Sequence, residues 1–154
     1  MSIYSTINID NYLSNNDKCT SPTDLKLINN ANVLLDKIDK IAKIIYEDTG
    51  TIFTLSSGYR PSTYNIAVGG AIKSTHSTCE GIDILDNYGL IDTYLIKNQN
   101  LLKEYTLFVE HPYATLGWCH IQTRLIKSGR LFFWPCAKEL IKQKDIDIKF
   151  IDLP

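Results

Sequence analysis

The stretch from Ser56 to Leu85 reads SSGYRPSTYNIAVGGAIKSTHSTCEGIDIL. It places His76, one of the three histidines of the chain, in a polar, glycine-rich segment, and Asp83 follows in the apolar run GIDIL. Both GIDIL and the apolar run before the segment, Thr51–Ser56, have the composition of short buried strands. Because side chains alternate along a strand, Asp83 points away from its isoleucine neighbours. We therefore expect a polar loop that carries His76, followed by a strand that carries Asp83 on its polar face.

The segments on either side of this loop predict helices. Apolar residues at helical spacing indicate a long helix that begins near Thr23, with Ser21, Thr23 or Asp24 as its cap, and ends at Gly50. GLIDTYLIKNQNLLKEY predicts a second helical region, broken around Asn98–Asn100.

Three later runs predict further strands. They are TLFVE, GWCHIQTRLI and GRLFFW, with the turn KSG joining the last two, and a short helix is expected after Pro135. Strands and helices do not alternate regularly. The order predicts an α+β fold: a small, mainly antiparallel sheet with helices packed on one side.

The length of 154 residues suits one domain. We expect an N-terminal arm over residues 1–22, a domain over residues 23–135 and a C-terminal extension over residues 136–154 that packs on the domain.

Charge and composition argue against several partners. The formal net charge is -1, so nothing attracts the chain electrostatically to nucleic acid or to an anionic membrane, and we expect neither as a partner. The N-terminus has neither the basic start nor the apolar run of a signal peptide, which predicts synthesis in the cytoplasm. In that compartment the four cysteines are expected to be free thiols.

His76 and Asp83 are candidate metal ligands, because zinc binds imidazole nitrogen and carboxylate oxygen, and a catalytic site takes three protein ligands. The small, polar segment between them can fold back tightly. His111 and His120 remain as further imidazole ligands. His120 lies in the predicted fourth strand, and an antiparallel neighbour of GIDIL would put it beside Asp83. The alternative is that these histidines are ordinary structural residues.

The pattern SGYRP-x3-N-x-AVGGA-x2-S-x-H, followed by Asp83, resembles the signature of the D-alanyl-D-alanine carboxypeptidase and L-alanyl-D-glutamate endopeptidase family of zinc peptidases. GWCHIQ resembles the second motif of that family, a strand of Trp-x-His type. The resemblance covers roughly residues 24–124. It implies a hedgehog-like α+β fold and one zinc ion. Bacteriophages use members of the family to cut peptidoglycan peptides.

The resemblance also implies roles for individual residues. Carried over by position, His76, Asp83 and His120 are the zinc ligands. Arg60 matches the arginine that holds a substrate carboxylate or polarises the scissile carbonyl. Ser74 matches the serine that lies beside the substrate.

The loop before Asp83 departs from the family at two positions. The family loop usually reads His-x2-Gly-x-Ala-x-Asp, whereas this chain has Cys79 in place of the glycine and Gly81 in place of the alanine. A glycine there often serves a conformation with positive φ, which cysteine adopts at a cost. The Cys79 thiol is also a candidate further zinc ligand.

A zinc peptidase also needs a carboxylate that takes a proton from water. In the family this base comes from the segment before the second histidine motif, which leaves Glu104 and Glu110. Glu110 is the predicted base, because a short loop between it and His120 can turn it towards the metal. Glu104 is expected to be a solvated charge. For His111 we expect a surface position, with stabilisation of an oxyanion as the functional alternative.

Three further residues are assigned by their places in the chain. Gln122 shares a strand face with His120 and is predicted to contact substrate. Trp118 lies on the same face and is predicted either to wall the cleft or to belong to the core. Asn65 is expected to shape the loop beneath the site.

The predicted function is that of a zinc metallopeptidase that hydrolyses a peptide bond in bacterial peptidoglycan. It is expected to be phage-encoded, as an endolysin or a virion-associated enzyme, and to act at the cell wall or within a virion beside other virion proteins. The alternative is a non-catalytic phage structural or binding protein that retains the peptidase fold. The altered loop and the lack of a basic patch for anionic walls keep this alternative open.

Overall fold

The computed structural model describes residues 2–14 and 19–134. Within these residues the helices are α1 (Ile9–Leu13), α2 (Leu25–Thr49), α3 (Ser62–Ala67), α4 (Leu90–Lys97) and α5 (Gln99–Tyr105). The strands are β1 (Leu55–Ser57), β2 (Gly81–Asp86), β3 (Phe108–Glu110), β4 (Gly117–Gln122) and β5 (Phe132–Phe133). Two 3₁₀ turns, Thr75–Thr78 and Pro112–Ala114, lie before β2 and β4.

Helix α2 supplies one wall of the core. The Asp24 side chain caps its start by accepting a hydrogen bond from the Lys26 N–H, and Gly50 ends it with a φ of 74°. The side chains that it buries are Ala31, Leu34, Ile38, Ile41, Ala42 and Ile45. Their helical spacing is what the sequence predicted, and the long helix is confirmed.

The strands form one sheet in the order β1-β2-β4-β3-β5, and every pair is antiparallel except β3 with β5. The core-facing residues of the two central strands are Ile82, Ile84, Cys119 and Ile121. Asp83 lies opposite His120 in the register of β2 and β4, so these two side chains share the other face. The predicted α+β fold is confirmed, and the sheet has one apolar face and one face with polar chemistry.

Helix α1 joins the N-terminal residues to this core. Tyr12 is fully buried, and its hydroxyl donates a hydrogen bond of 2.9 Å to the Gly81 carbonyl at the start of β2. The Tyr12 carbonyl accepts a hydrogen bond from the Tyr59 N–H at 2.9 Å. The short helix therefore connects the segment before α3 with the strand that carries Asp83.

Several predicted boundaries differ from the structure. The strand expected at Thr51–Ser56 is β1, while Phe53 forms an isolated bridge with Ser5. The polar loop contains helix α3, which begins directly after Pro61. The helical region broken around Asn98–Asn100 is confirmed, because α4 and α5 meet at Asn98.

The fifth strand has a different partner from the one predicted. GRLFFW was expected to form a hairpin with the fourth strand, but β5 pairs in parallel with β3. The reason is that β4 lies between β2 and β3, so both of its edges are already hydrogen-bonded. The helix predicted after Pro135 and the extension over residues 136–154 lie outside the described residues.

Among the described residues, no helix combines the length and the apolar character that crossing a membrane requires.

Candidate metal centre and active-site cleft

Three buried side chains meet on the polar face of the sheet. His76, Asp83 and His120 each present a potential ligand atom, and these atoms lie within 4.8 Å of one another. The imidazole rings of the two histidines are 5.2 Å apart between centroids. Segments distant in sequence are thus brought to a common point.

His76 is held by the backbone around it. It lies in the 3₁₀ turn, which the Ser74 side chain caps by accepting a hydrogen bond from the His76 N–H at 3.2 Å. The Nδ1 of His76 lies 2.7 Å from the Gly58 carbonyl oxygen. Because a carbonyl oxygen only accepts, Nδ1 carries the hydrogen, and the lone pair of Nε2 points towards Asp83. The distance from Nε2 to Asp83 Oδ2 is 3.3 Å.

Asp83 and His120 face each other across the two central strands. Nδ1 of His120 is 2.7 Å from Oδ1 of Asp83, and the two residues are direct partners in the β2–β4 register. The second carboxylate oxygen, Oδ2, lies 3.6 Å from Nη2 of Arg60. Asp83 is therefore the central acid of the group.

Burial and mutual hydrogen bonds shift the pKa values of all three candidate ligands. Burial lowers the pKa of His76 and so favours its neutral form. Burial alone would raise the pKa of the Asp83 carboxyl, but hydrogen bonds with His120 and His76 hold it below its ordinary range. For His120, burial acts to lower the pKa, and the hydrogen bond and charge of Asp83 outweigh it and raise the pKa. An ionised carboxylate and imidazole nitrogens are the donors that a divalent cation needs.

The donor set fits zinc. Zinc takes imidazole nitrogen and carboxylate oxygen, and its catalytic sites have three protein ligands and a further position open to water or substrate. Within residues 2–14 and 19–134, this triad is the one group arranged to hold a metal. Cys79 is fully buried in the hydrophobic core with a φ of 56°, and it is not part of the group. The described thiols, those of Cys19, Cys79 and Cys119, are free.

The metal-ligand group opens onto a cavity of about 980 Å³. The other residues predicted for the site also line this cavity: Arg60, Ser74, Glu110, Trp118 and Gln122. An aromatic wall is formed by Trp118, Phe133 and Trp134. The triad is thus accessible from a space large enough for a peptide.

Glu110 lies at the end of β3, paired with Phe133 of β5, and its side chain is half-buried. Burial raises the pKa of the Glu110 carboxyl. The positive charge of His120 acts to lower this pKa, and the negative charge of Asp83 acts to raise it further. The other candidate base, Glu104, is exposed on α5. Of the two carboxylates, Glu110 is the one that lines the cavity beside the triad.

Arg60 lines the cavity beside Asp83. Its backbone N–H donates to the His76 carbonyl at 3.3 Å, which ties it to the metal-binding turn. Its Nε is buried and has no hydrogen-bond partner among the described residues. A guanidinium held in this way is available for a carboxylate or a carbonyl oxygen.

Gln122 and Trp118 are placed differently from each other. Gln122 is buried, with Oε1 at 3.3 Å from Nε2 of His120. Trp118 is partly exposed and lines the cavity. Asn65 is buried behind the cavity, where its side-chain amide donates to the Ala71 carbonyl at 2.8 Å and shapes the loop as expected.

The sequence reasoning missed a network centred on Arg124. Its guanidinium donates to Glu80 Oε2 at 2.7 Å and 3.0 Å, to the Thr78 hydroxyl at 2.6 Å and to the Lys73 carbonyl at 2.7 Å. These contacts hold the turn that carries His76 against the end of β4. The pairing of the two strands is the signal that could have revealed this network. Because Gly81 pairs with Gln122, Glu80 comes close to the residues that follow β4.

The expected surface position of His111 is wrong. Its side chain is fully buried, with the ring stacked on Trp134 at a centroid distance of 4.2 Å. Its Nδ1 accepts a hydrogen bond from the Tyr113 N–H, which caps the second 3₁₀ turn. Burial lowers its pKa to about 4. His111 follows Glu110 and supports the chain where β3 ends.

These features define a metallopeptidase-like site on an α+β sheet. A family model described as Peptidase M15 matches residues 12–98. The chain therefore belongs to the Peptidase M15 family, whose members are zinc-dependent metallopeptidases. The matched residues include Arg60, His76 and Asp83, whereas Glu110 and His120 lie beyond them. Comparisons with curated proteins and with solved structures gave no match.

Proposed function

We propose that the protein is a zinc-dependent peptidase that hydrolyses a peptide bond in bacterial peptidoglycan and that it is encoded by a bacteriophage. The observation that carries the proposal is the convergence of His76, Asp83 and His120 beside a cavity that Glu110 and Arg60 also line. Membership of the metallopeptidase family supports the type of reaction.

Each residue has a task in this proposal. His76, Asp83 and His120 would hold a zinc ion, and an ion bound there would supply Lewis-acid chemistry to a carbonyl and to water. Glu110 accepts the proton of the attacking water and delivers it to the leaving amine. Arg60 binds a substrate carboxylate or the scissile carbonyl oxygen. Ser74 and Trp118 lie beside the bound peptide.

The charge of the cleft supports an anionic peptide as substrate. Lys73 and Arg130 line the cavity together with Arg60, whereas the charge of Arg124 is balanced by Glu80. Peptidoglycan peptides carry D-amino acids with free carboxylates, which a guanidinium binds through two parallel hydrogen bonds. The resemblance of the motifs to phage enzymes supports an endolysin or a virion component acting at the cell wall.

The test is digestion of purified peptidoglycan by the zinc-loaded protein. We expect new amino groups, and mass spectrometry of the released fragments identifies the bond as L-Ala–D-Glu, D-Ala–D-Ala or another. Glu110→Gln should lower the rate by about 10²–10⁴-fold and retain zinc, because Glu110 is not among the three ligands.

Two results would count against the proposal. A zinc-loaded protein that releases nothing from cell walls would favour the non-catalytic alternative. A Glu110→Gln protein with full activity would remove Glu110 as the base. Glu104→Gln is the matched control, because this exposed carboxylate on α5 should be replaceable without effect on the rate.

A further inference from the structure

We propose that Gln122, supported by Thr75, is a positioning residue that stabilises the form of the His120 imidazole with its hydrogen on Nε2, so that Nδ1 can present its lone pair to the metal. The inference rests on the proposed zinc site and assigns Gln122 a role different from the substrate contact predicted from sequence. The proposed role concerns the affinity of the site for zinc and the position of the hydrogen on the His120 ring.

The two nitrogens of His120 have separate surroundings. Nδ1 lies 2.7 Å from Asp83 Oδ1, on the side of the other two ligands. Nε2 lies on the far side, 3.3 Å from Gln122 Oε1 and 3.3 Å from Thr75 Oγ1. In the metal-free protein the Asp83 carboxylate favours a hydrogen on Nδ1, whereas Nδ1 can bind a metal only when the ring hydrogen lies on Nε2. An acceptor that faces Nε2 therefore favours the metal-binding form of the ring.

The orientation of the Gln122 amide is fixed from behind. Its Nε2 donates to the Arg124 carbonyl at 2.9 Å. Because a carbonyl only accepts, the amide nitrogen faces Arg124 and the amide oxygen faces His120. An oxygen in that place accepts a hydrogen bond and so stabilises the hydrogen on Nε2 of His120.

The Arg124 carbonyl is itself well anchored. The Arg124 side chain is bound by Glu80 and Thr78, and the Thr123 N–H donates to the Glu80 carbonyl at 2.8 Å. This arrangement fixes the backbone at the end of β4 relative to the turn that carries His76. The Arg124 network is therefore linked to His120 through the Arg124 carbonyl and the Gln122 side-chain amide.

Thr75 completes the enclosure of Nε2, and Gly81 makes room for it. A Cβ at position 81 would lie 2.2 Å from Thr75 Oγ1 and 3.0 Å from Cε1 of His120. Glycine therefore allows the threonine hydroxyl to approach the ring. Thr75 and Gln122 are both buried, so water does not replace their hydrogen bonds easily.

The experiment measures zinc affinity by competition with a chelator, together with the ¹⁵N shifts of the His120 ring in zinc-free protein under alkaline conditions. Gln122→Leu should weaken zinc binding by about 10–100-fold, the usual effect of losing such a partner, and shift the ring towards the Nδ1–H tautomer that Asp83 favours. Gln122→Glu keeps an acceptor oxygen and should stay within a few-fold of the parent. Thr75→Val should weaken binding, and Thr75→Ser should restore it.

The outcomes separate this inference from the proposed function. If the parent protein binds no zinc, the metal site itself is wrong. If the parent binds zinc and Gln122→Leu binds it equally well with an unchanged tautomer, the positioning role is wrong. If Gln122→Glu binds zinc as weakly as Gln122→Leu, loss of the hydrogen bond to the Arg124 carbonyl explains the weaker binding. The explanation by the tautomer is then overturned.

Discussion

Cys79 adopts a backbone conformation that glycine adopts freely, with φ 56° and ψ 32° at the end of the metal-binding turn. For a residue with a Cβ this conformation costs roughly 1–2 kcal/mol. Its side chain is fully buried in the core beside Tyr12, which offsets part of that cost. Burial raises the pKa of the thiol to about 12. The cysteine that stands where the family loop usually has glycine is thus accommodated in the core. The three metal ligands are unchanged.

Asp92 is an acid placed in the core, and its titration should be visible in the stability of the protein. It is 5% exposed, and burial raises its pKa from 3.8 to about 7, against an opposing hydrogen bond with Cys119. The folded state therefore binds the proton more tightly than the unfolded chain. The free energy of unfolding should fall as pH rises from about 4 to about 7, and the contribution of Asp92 should then level off.

The measurement compares urea unfolding of the parent and Asp92→Asn across this pH range. Each unit of pKa difference corresponds to ~1.4 kcal/mol, so the parent should lose a few kcal/mol relative to the variant, which does not titrate. Taking the difference removes other titrating groups that both proteins share. A difference that is independent of pH would contradict the buried, protonated state of Asp92.

At the scale of elements, the sequence was informative wherever local signals agree. Helix α2 has an apolar stripe, an aspartate cap and a terminal glycine, and each acts within a few residues. Alternation in GIDIL separated the core-facing isoleucines from Asp83, and the strand around His120 was expected to pair with it. The β2–β4 register places these two residues opposite each other.

Predictions were wrong where a distant contact decides the outcome. The partner of β5 depends on the occupied edges of β4, which no local turn signal in KSG can reveal. The ring of His111 is buried and stacks on Trp134, which follows β5 and is distant in sequence. The substrate contact of Gln122 stays a prediction, and its contact with the His120 ring was missed because it requires side-chain positions.

Helix α1 should matter for stability through one hydroxyl. The Tyr12 hydroxyl donates to the Gly81 carbonyl inside the core, so Tyr12→Phe leaves a buried carbonyl with one partner fewer. We expect the free energy of unfolding to fall by about 1–3 kcal/mol, as measured by urea denaturation. The matched control is Tyr4→Phe, because the Tyr4 hydroxyl bonds Asp39 at the surface at 3.2 Å. Similar losses in both variants would contradict a special role for the buried contact.

At the scale of the whole molecule, the site connects parts of the fold that are otherwise joined by loops. His76 comes from a 3₁₀ turn, Asp83 from β2 and His120 from β4. Their opposite sheet face packs against α2 and α4 through the common core. Unfolding of the domain must therefore separate the ligands, and metal binding and folding are thermodynamically linked.

Zinc should accordingly raise the stability of the whole domain. A ligand that binds only the folded state at 100 times its dissociation constant adds ~2.7 kcal/mol to the free energy of unfolding. Thermal denaturation with zinc and with chelator should then differ by about 5–11 °C in Tm, because ~1 kcal/mol corresponds to roughly 2–4 °C for a domain of this size. Asp83→Ala and His120→Ala should abolish the difference, whereas Glu110→Gln should retain it, because Glu110 lies outside the triad. An identical Tm with and without zinc in the parent protein would mean that these three side chains do not form a metal site.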